Sequence, residues 1–209
     1  GEIIMKRIYL CANRAWCCFK VLGKLAVALF IFSDSLLAEK PDSLGPAAMD
    51  RSERFLIRAE KIDQVYRIDV VLPIGYEEGE KNYPVVYMTD GNLLIYSAAG
   101  SQLAQATDEI PRIILVGIGY DVEGIPDTEH IRVRDLAPTC DKGFKENAKV
   151  PEDLCVGSAD DYLSFVEDEI KPLINKKYRT NTGDETLVGY SLGGLFTLHV
   201  LFNQSDAFD

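Results

Sequence analysis

The chain has 209 residues, is 47% hydrophobic and carries a formal net charge of −11. That length suits one sizeable domain with a buried core. The acidic balance excludes a nucleic-acid partner held by phosphate neutralisation, because no basic footprint is present.

The amino end departs from that balance. Lys6, Arg7, Arg14, Lys20 and Lys24 form a basic stretch, Leu25 to Phe32 are apolar throughout, and Ser33 to Ala38 follow. A basic region, a short apolar core and a small residue at the cut is the pattern of a secretory signal peptide. Cleavage is expected after Ala38, so residues 1–38 are read as an export signal directing the chain to the periplasm or the extracellular space. Met5 is a candidate start, since residue 1 is Gly. The apolar run is short for a membrane span, and an uncleaved amino-terminal anchor is the alternative. Either way, membrane contact is expected only through this segment. Cys140 and Cys155 are the cysteines that remain after cleavage. In an oxidising compartment they are expected to pair, closing a loop of about fifteen residues for up to ~3 kcal/mol. Two free thiols are the alternative.

Residues 39–54 are polar, contain Pro41, Gly45 and Pro46, and read as a linker. The folded domain is expected over 55–209. Phe55 to Ala59 and Val65 to Leu72 alternate apolar and polar, as paired antiparallel strands do, with Pro73 ending the second. Tyr66, Ile68, Val70 and Leu72 share one face. Pro84 to Met88 reads as a buried strand running into Thr89-Asp90-Gly91-Asn92, and a helix is predicted from Leu94 to Ala106. Ile113 to Ile118 is the most apolar run of the domain and reads as a central parallel strand. Gly119 to Gly157 reads as one long loop, of the length that usually carries function or forms a lid. From Ser158, a capping-box-like start, a helix is predicted to near Tyr178, with Pro172 kinking or stopping it.

Thr186 to Val188 then reads as a short strand entering Gly189-Tyr190-Ser191-Leu192-Gly193-Gly194, and Leu195, Phe196, Leu198, Leu201 and Phe202 recur at helical spacing. A G-x-S-x-G run between strand and helix is the arrangement of a nucleophile elbow. Ser191 is exposed on a strained turn there, and the glycines remove side chains that would collide. Gly194 is expected to let the helix pack close to the sheet. Strands alternating with helices after an antiparallel start predict an α/β sheet with its ligand site at the carboxyl ends of the strands.

A serine nucleophile needs a base, usually His held by a carboxylate. The chain has two histidines. His199 is eight residues along the same helix, about 12 Å from Ser191 at 1.5 Å per residue, so it reads as a core or helix-face residue. His130 precedes the serine, whereas the order in α/β-hydrolases is Ser, acid, His. The base and acid are therefore expected after Asp209, in a carboxyl-terminal part missing from this chain, and the 209 residues alone are expected to be nearly inactive. The oxyanion hole is more complete, with the Leu192 amide following the nucleophile and Asn92, in the Asp90-Gly91-Asn92 loop, as second donor. A plain Asp-Gly turn is the bland reading of that loop. Arg132 and Arg134 are candidates to bind an anionic substrate group; the alternative is a structural pair of either with Asp135.

Three stretches, Tyr87-Met88-Thr89-Asp90-Gly91-Asn92, Arg132-Val133-Arg134-Asp135-Leu136-Ala137-Pro138-Thr139 and the elbow, occur in the order seen in the putative-esterase family, which includes siderophore esterases, S-formylglutathione hydrolases, feruloyl esterases and mycolyltransferases. The Arg-x-Arg-Asp-x-x-Pro-Thr stretch most resembles the enterochelin-esterase branch. The resemblance runs from about Phe55 to Asp209. It implies a three-layer α/β-hydrolase fold, a Ser-His-acid triad, no metal or other cofactor, and Asn92 at the second oxyanion amide. The function expected is a serine ester hydrolase working through an acyl-enzyme on a small-molecule ester. The alternatives are an acyltransferase on the same fold, or a non-catalytic binding module should the late His be absent.

Overall fold

A computed structural model of the protein describes residues 49–104, 111–122, 125–139 and 157–209. The export signal, most of the linker, and Cys140 with Cys155 lie outside the described residues.

The chain forms a five-stranded sheet in the order β1-β2-β4-β3-β5: β1 (Ser52–Arg58), β2 (Val65–Val71), β3 (Tyr83–Thr89), β4 (Ile114–Tyr120) and β5 (Thr180–Val188). β1 pairs antiparallel with β2, and β2 antiparallel with β4; β3 runs parallel to both β4 and β5. The sheet is therefore mixed and open, antiparallel at its start and parallel where the elbow lies. β1 begins at Ser52, inside the stretch read as linker, because Ser52, Glu53 and Arg54 continue the register opposite Val71, Val70 and Asp69.

The alternation in β2 becomes two buried faces. Tyr66, Ile68 and Val70 join Val85, Tyr87, Val116 and Ile118 in the larger core. Val71 faces the other way, with Met88 and Leu115, beneath Ile95 and Ala99 of helix α1 (Gly91–Ala104). The larger face is covered by α2 (Ile125–Leu136), α3 (Ala159–Phe165) and α5 (Leu192–Asn203), which supply Leu136, Tyr162, Phe165, Phe196 and Val200 to that core. Aromatic contacts knit these layers: Tyr66 stacks on Phe165 at 4.5 Å and Tyr162 meets Phe196 edge-on at 5.2 Å, pairs worth about 0.5–1.5 kcal/mol each beyond area burial.

Three elements differ from the sequence reading. The segment read as one long loop contains α2, whose apolar face is confined to a few positions, Val133 and Leu136 among them, in an otherwise charged stretch. Of the kink or stop expected at Pro172, the stop does not occur. The chain passes from α3 through a π turn (Val166–Ile170) into α4 (Lys171–Lys177), with Pro172 in the first turn of α4. The π turn just ahead of it, where Lys171 N–H donates to the Val166 carbonyl, shifts the hydrogen-bond ladder beside the proline. In α5 the core stripe is Phe196 and Val200, while Leu195, Leu198, Leu201 and Phe202 lie exposed on its outer side. Among the described residues no helix is long and apolar enough to cross a membrane.

Candidate active site

The site is built where β3 and β5, parallel neighbours, both end. β5 stops at Val188 and α5 begins at Leu192, so three residues make the turn. Ser191 occupies it with φ 55° and ψ −115°, a backbone conformation that side-chain-bearing residues adopt only under strain. The serine is solvent-exposed. Gly189 and Gly193 make the turn possible. A Cβ at Gly189 would lie 2.1 Å from the Gly193 carbonyl oxygen, and one at Gly193 would lie 2.2 Å from Thr89 Oγ1. Gly194 has no such constraint, since a Cβ there would stand 3.6 Å from its nearest neighbour, the Gly189 oxygen.

Leu192 is the first residue of α5 and Asn92 the second of α1. Backbone N–H groups at those positions have no intrahelical acceptor. The α5 turn is closed instead by Gly193 N–H donating to the Tyr190 carbonyl at 2.9 Å. The Asn92 turn rests on β4: a Cβ at Gly91 would strike the Gly117 backbone at 2.3 Å, and one at Gly119 would lie 2.7 Å from Asn92 N and 2.5 Å from its Oδ1. The paired glycines of Gly117-Ile118-Gly119 are the sequence signal for this approach, since glycine inside a strand marks a place where another backbone comes close.

Asp90 bridges the two helix starts. It has φ 54°, its carbonyl accepts from Leu93 N–H and Leu94 N–H at 2.8 and 3.1 Å, and it is 3% exposed. Arg132 Nε donates to its Oδ1 at 2.6 Å and Nη2 to its Oδ2 at 3.0 Å, while Nη1 donates to Glu129 Oε2 at 3.0 Å. Burial works against the Arg132 charge, but Asp90 and Glu129 outweigh it and raise its pKa above the ordinary arginine value. Arg134 Nε donates to the buried Asp135 carboxylate at 2.6 Å. Both arginines singled out as substrate contacts thus already hold buried carboxylates.

His199 is engaged away from this turn. His199 Nε2 is 2.7 Å from Asp160 Oδ1, and its ring Nδ1 is 3.1 Å from Asn203 Nδ2, which makes it a helix-face residue tying α5 to α3. His130 is in α2 and half-buried. Ser158, the capping serine expected at α3, makes no side-chain cap; its carbonyl accepts from Tyr162 N–H instead. Among the described residues no cluster of three or more His, Cys, Asp and Glu is placed to hold a metal.

A mixed open sheet between helices, with a strained serine at the strand-to-helix turn after β5, is the architecture of an α/β-hydrolase. The comparisons agree and go further. The profile of the family described as "Putative esterase" matches residues 59–209, more than half of the chain, and the chain belongs to that family, in its enterochelin-esterase-like branch. It is 31% identical over 170 residues to the siderophore triacetylfusarinine C esterase of Aspergillus fumigatus, covering 78% of this chain and 55% of that protein. It is 35% identical over 133 residues to the ferri-bacillibactin esterase BesA of Bacillus subtilis, covering 60% and 45%. The crystal structure of the BES protein from Bacillus cereus superposes with a TM-score of 0.67 at 28% identity, covering 81% of this chain and 63% of that one. The chain spans about half the length of the curated relatives it matches.

Proposed function

We propose that this chain carries the nucleophile and oxyanion half of a serine carboxylic-ester hydrolase acting on siderophore-type esters. The observation that supports it most is Ser191, exposed and strained at the turn from β5 into α5. In this reading Ser191 Oγ attacks the ester carbonyl and expels the alcohol, and water then releases the acyl group from the serine. The amides of Leu192 and Asn92 stabilise the charge that develops on the carbonyl oxygen. The siderophore class is drawn from the relatives, whose names assign them siderophore esters.

In this reading the proton acceptor is neither histidine of the chain, since His199 is held by Asp160 and His130 precedes the serine, against the Ser, acid, His order of α/β-hydrolases; the 209 residues alone are expected to turn over p-nitrophenyl acetate poorly. We extend the reading to export, which the order of basic, apolar and small residues over 1–38 supports; amino-terminal sequencing of the secreted protein tests it.

The test of the chemistry uses the full-length protein. A fluorophosphonate probe labels Ser191, and Ser191→Ala abolishes labelling and lowers ester hydrolysis by several orders of magnitude, to the residual ~10³–10⁴-fold over water that an oxyanion hole and binding provide. An Ala variant that keeps most of its activity overturns the reading. Added alcohol acceptors that divert the acyl group from water would assign the protein to acyl transfer instead.

A further inference from the structure

We infer that Arg132 is a positioning residue for this reaction, acting through Asp90 and not through the substrate. The inference rests on the reading of Ser191 as nucleophile and of Leu192 and Asn92 as oxyanion donors.

Asp90 lies against both helix starts that supply those amides. On one side its carbonyl accepts from the Leu93 and Leu94 N–H groups, in the first turn of α1 just after Asn92. On the other, a Cβ on Gly193 would come within 3.4 Å of Asp90 Oδ2, so the carboxylate faces the first turn of α5 beside Leu192. Its positive φ is a conformation that persists only when the surroundings hold it. The holding contact is a planar guanidinium fork, two parallel N–H···O bonds to one carboxylate, the arrangement that fixes orientation as well as distance.

Charge gives the contact a second consequence. An ionised carboxylate buried beside the place where an oxyanion forms would oppose that charge, and in a water-poor site the opposition is strong. Arg132 places its cation on that carboxylate, 11% exposed, while its remaining contact goes to Glu129, whose side chain is 42% exposed and solvated. The amide pair is thereby kept free of a neighbouring uncompensated negative charge. A lysine could supply the charge but not the fork.

The test compares Arg132→Met and Arg132→Lys in the full-length enzyme with a neutral ester, p-nitrophenyl acetate, and an anionic one, mono-p-nitrophenyl succinate. For Arg132→Met the expected result is a fall in kcat of about 10²–10³-fold, the size of losing one oxyanion donor, with KM little changed and the same loss on both esters. Arg132→Lys recovers part of kcat. Fluorophosphonate labelling of Ser191 slows in parallel. A loss confined to KM and to the anionic ester would make Arg132 a substrate contact and overturn the inference, as would an unchanged kcat in either variant. Should Arg132→Met fail to fold, Arg132→Lys alone decides by the same kcat-against-KM reading. Failure of the underlying reading shows separately, as activity retained in Ser191→Ala.

Discussion

Gly193 sits against Thr89 so closely that a Cβ at position 193 would stand 2.2 Å from the Thr89 hydroxyl oxygen. A Cβ at Gly194, one residue on, would make only ordinary van der Waals contact, 3.6 Å from the Gly189 oxygen. Gly193→Ala is therefore expected to destabilise by about 1–3 kcal/mol through overpacking. Gly194→Ala should be neutral or stabilising by up to ~1 kcal/mol, because alanine is the better helix former. Urea unfolding of the two variants checks this, and equal midpoints would show that the elbow tolerates a methyl at either glycine.

The backbone at Ser191 stores strain of order 1–3 kcal/mol, which glycine would release at an unfolded-state entropy cost of roughly 0.4–1 kcal/mol. Ser191→Gly should accordingly unfold at a higher urea concentration than the wild type, whereas Ser191→Ala, with the same strained φ, should not. A Gly variant no more stable than the Ala variant would mean the turn is relaxed.

Lys171 Nζ is 2.9 Å from Glu185 Oε2, with both side chains about nine-tenths buried, and it also lies 3.8 Å from the Phe208 ring centre. Lys171→Met leaves the Glu185 carboxylate without its cation and should cost about 3–5 kcal/mol. Replacing both, as Lys171→Met with Glu185→Leu, should recover most of that loss. Thermal or urea unfolding of the single and double variants measures the difference; a double variant as unstable as the single would show that packing, not the stranded charge, sets the cost.

Asp135 gives the fold a pH dependence of unusual sign. Its side chain is fully buried, and burial raises its carboxyl pKa above the ordinary value of 3.8 despite the opposing bonds from Arg134 and Tyr66. The folded chain thus keeps this proton to a higher pH than the unfolded chain does. Between those two pKa values the folded state binds more protons, so the Asp135 contribution to stability falls as pH rises. Subtracting the curve of Asp135→Asn from that of the wild type, measured by urea unfolding from about pH 4 to 7, should leave a descending difference. A difference that rises with pH would mean that Arg134 and the tyrosines outweigh burial.

How much of this was legible depended on whether a pattern was local. The period-two alternation of Tyr66, Ile68 and Val70 and the strand–glycine–helix order around Ser191 are properties of adjacent residues, and they gave the right elements. The α2 helix was hidden because its stretch, Ile125–Leu136, is mostly polar and charged, and its buried residues are held by tertiary partners. Leu195, Phe196, Leu198, Leu201 and Phe202 all recur at helical spacing, yet of these only Phe196 is buried, with Val200 beside it. Spacing alone cannot choose between two apolar stripes on one cylinder. The site was half legible. The elbow announced itself, whereas the pairing of Arg132 with Asp90 spans 42 positions and leaves no mark in either neighbourhood.

The strand order has a consequence in time. β3 lies between β4 and β5, and Tyr87 meets Glu185 across 98 positions of sequence. Closing a loop of that length carries an entropy cost that few contacts offset until β5 arrives, and folding dominated by such distant pairings is slow. The strand that bears the elbow is the last of the five to be synthesised, and its place beside β3 is made late. Until then the serine is an ordinary residue in an unformed segment. The strained turn at Ser191 can form only once β5 has taken its place beside β3.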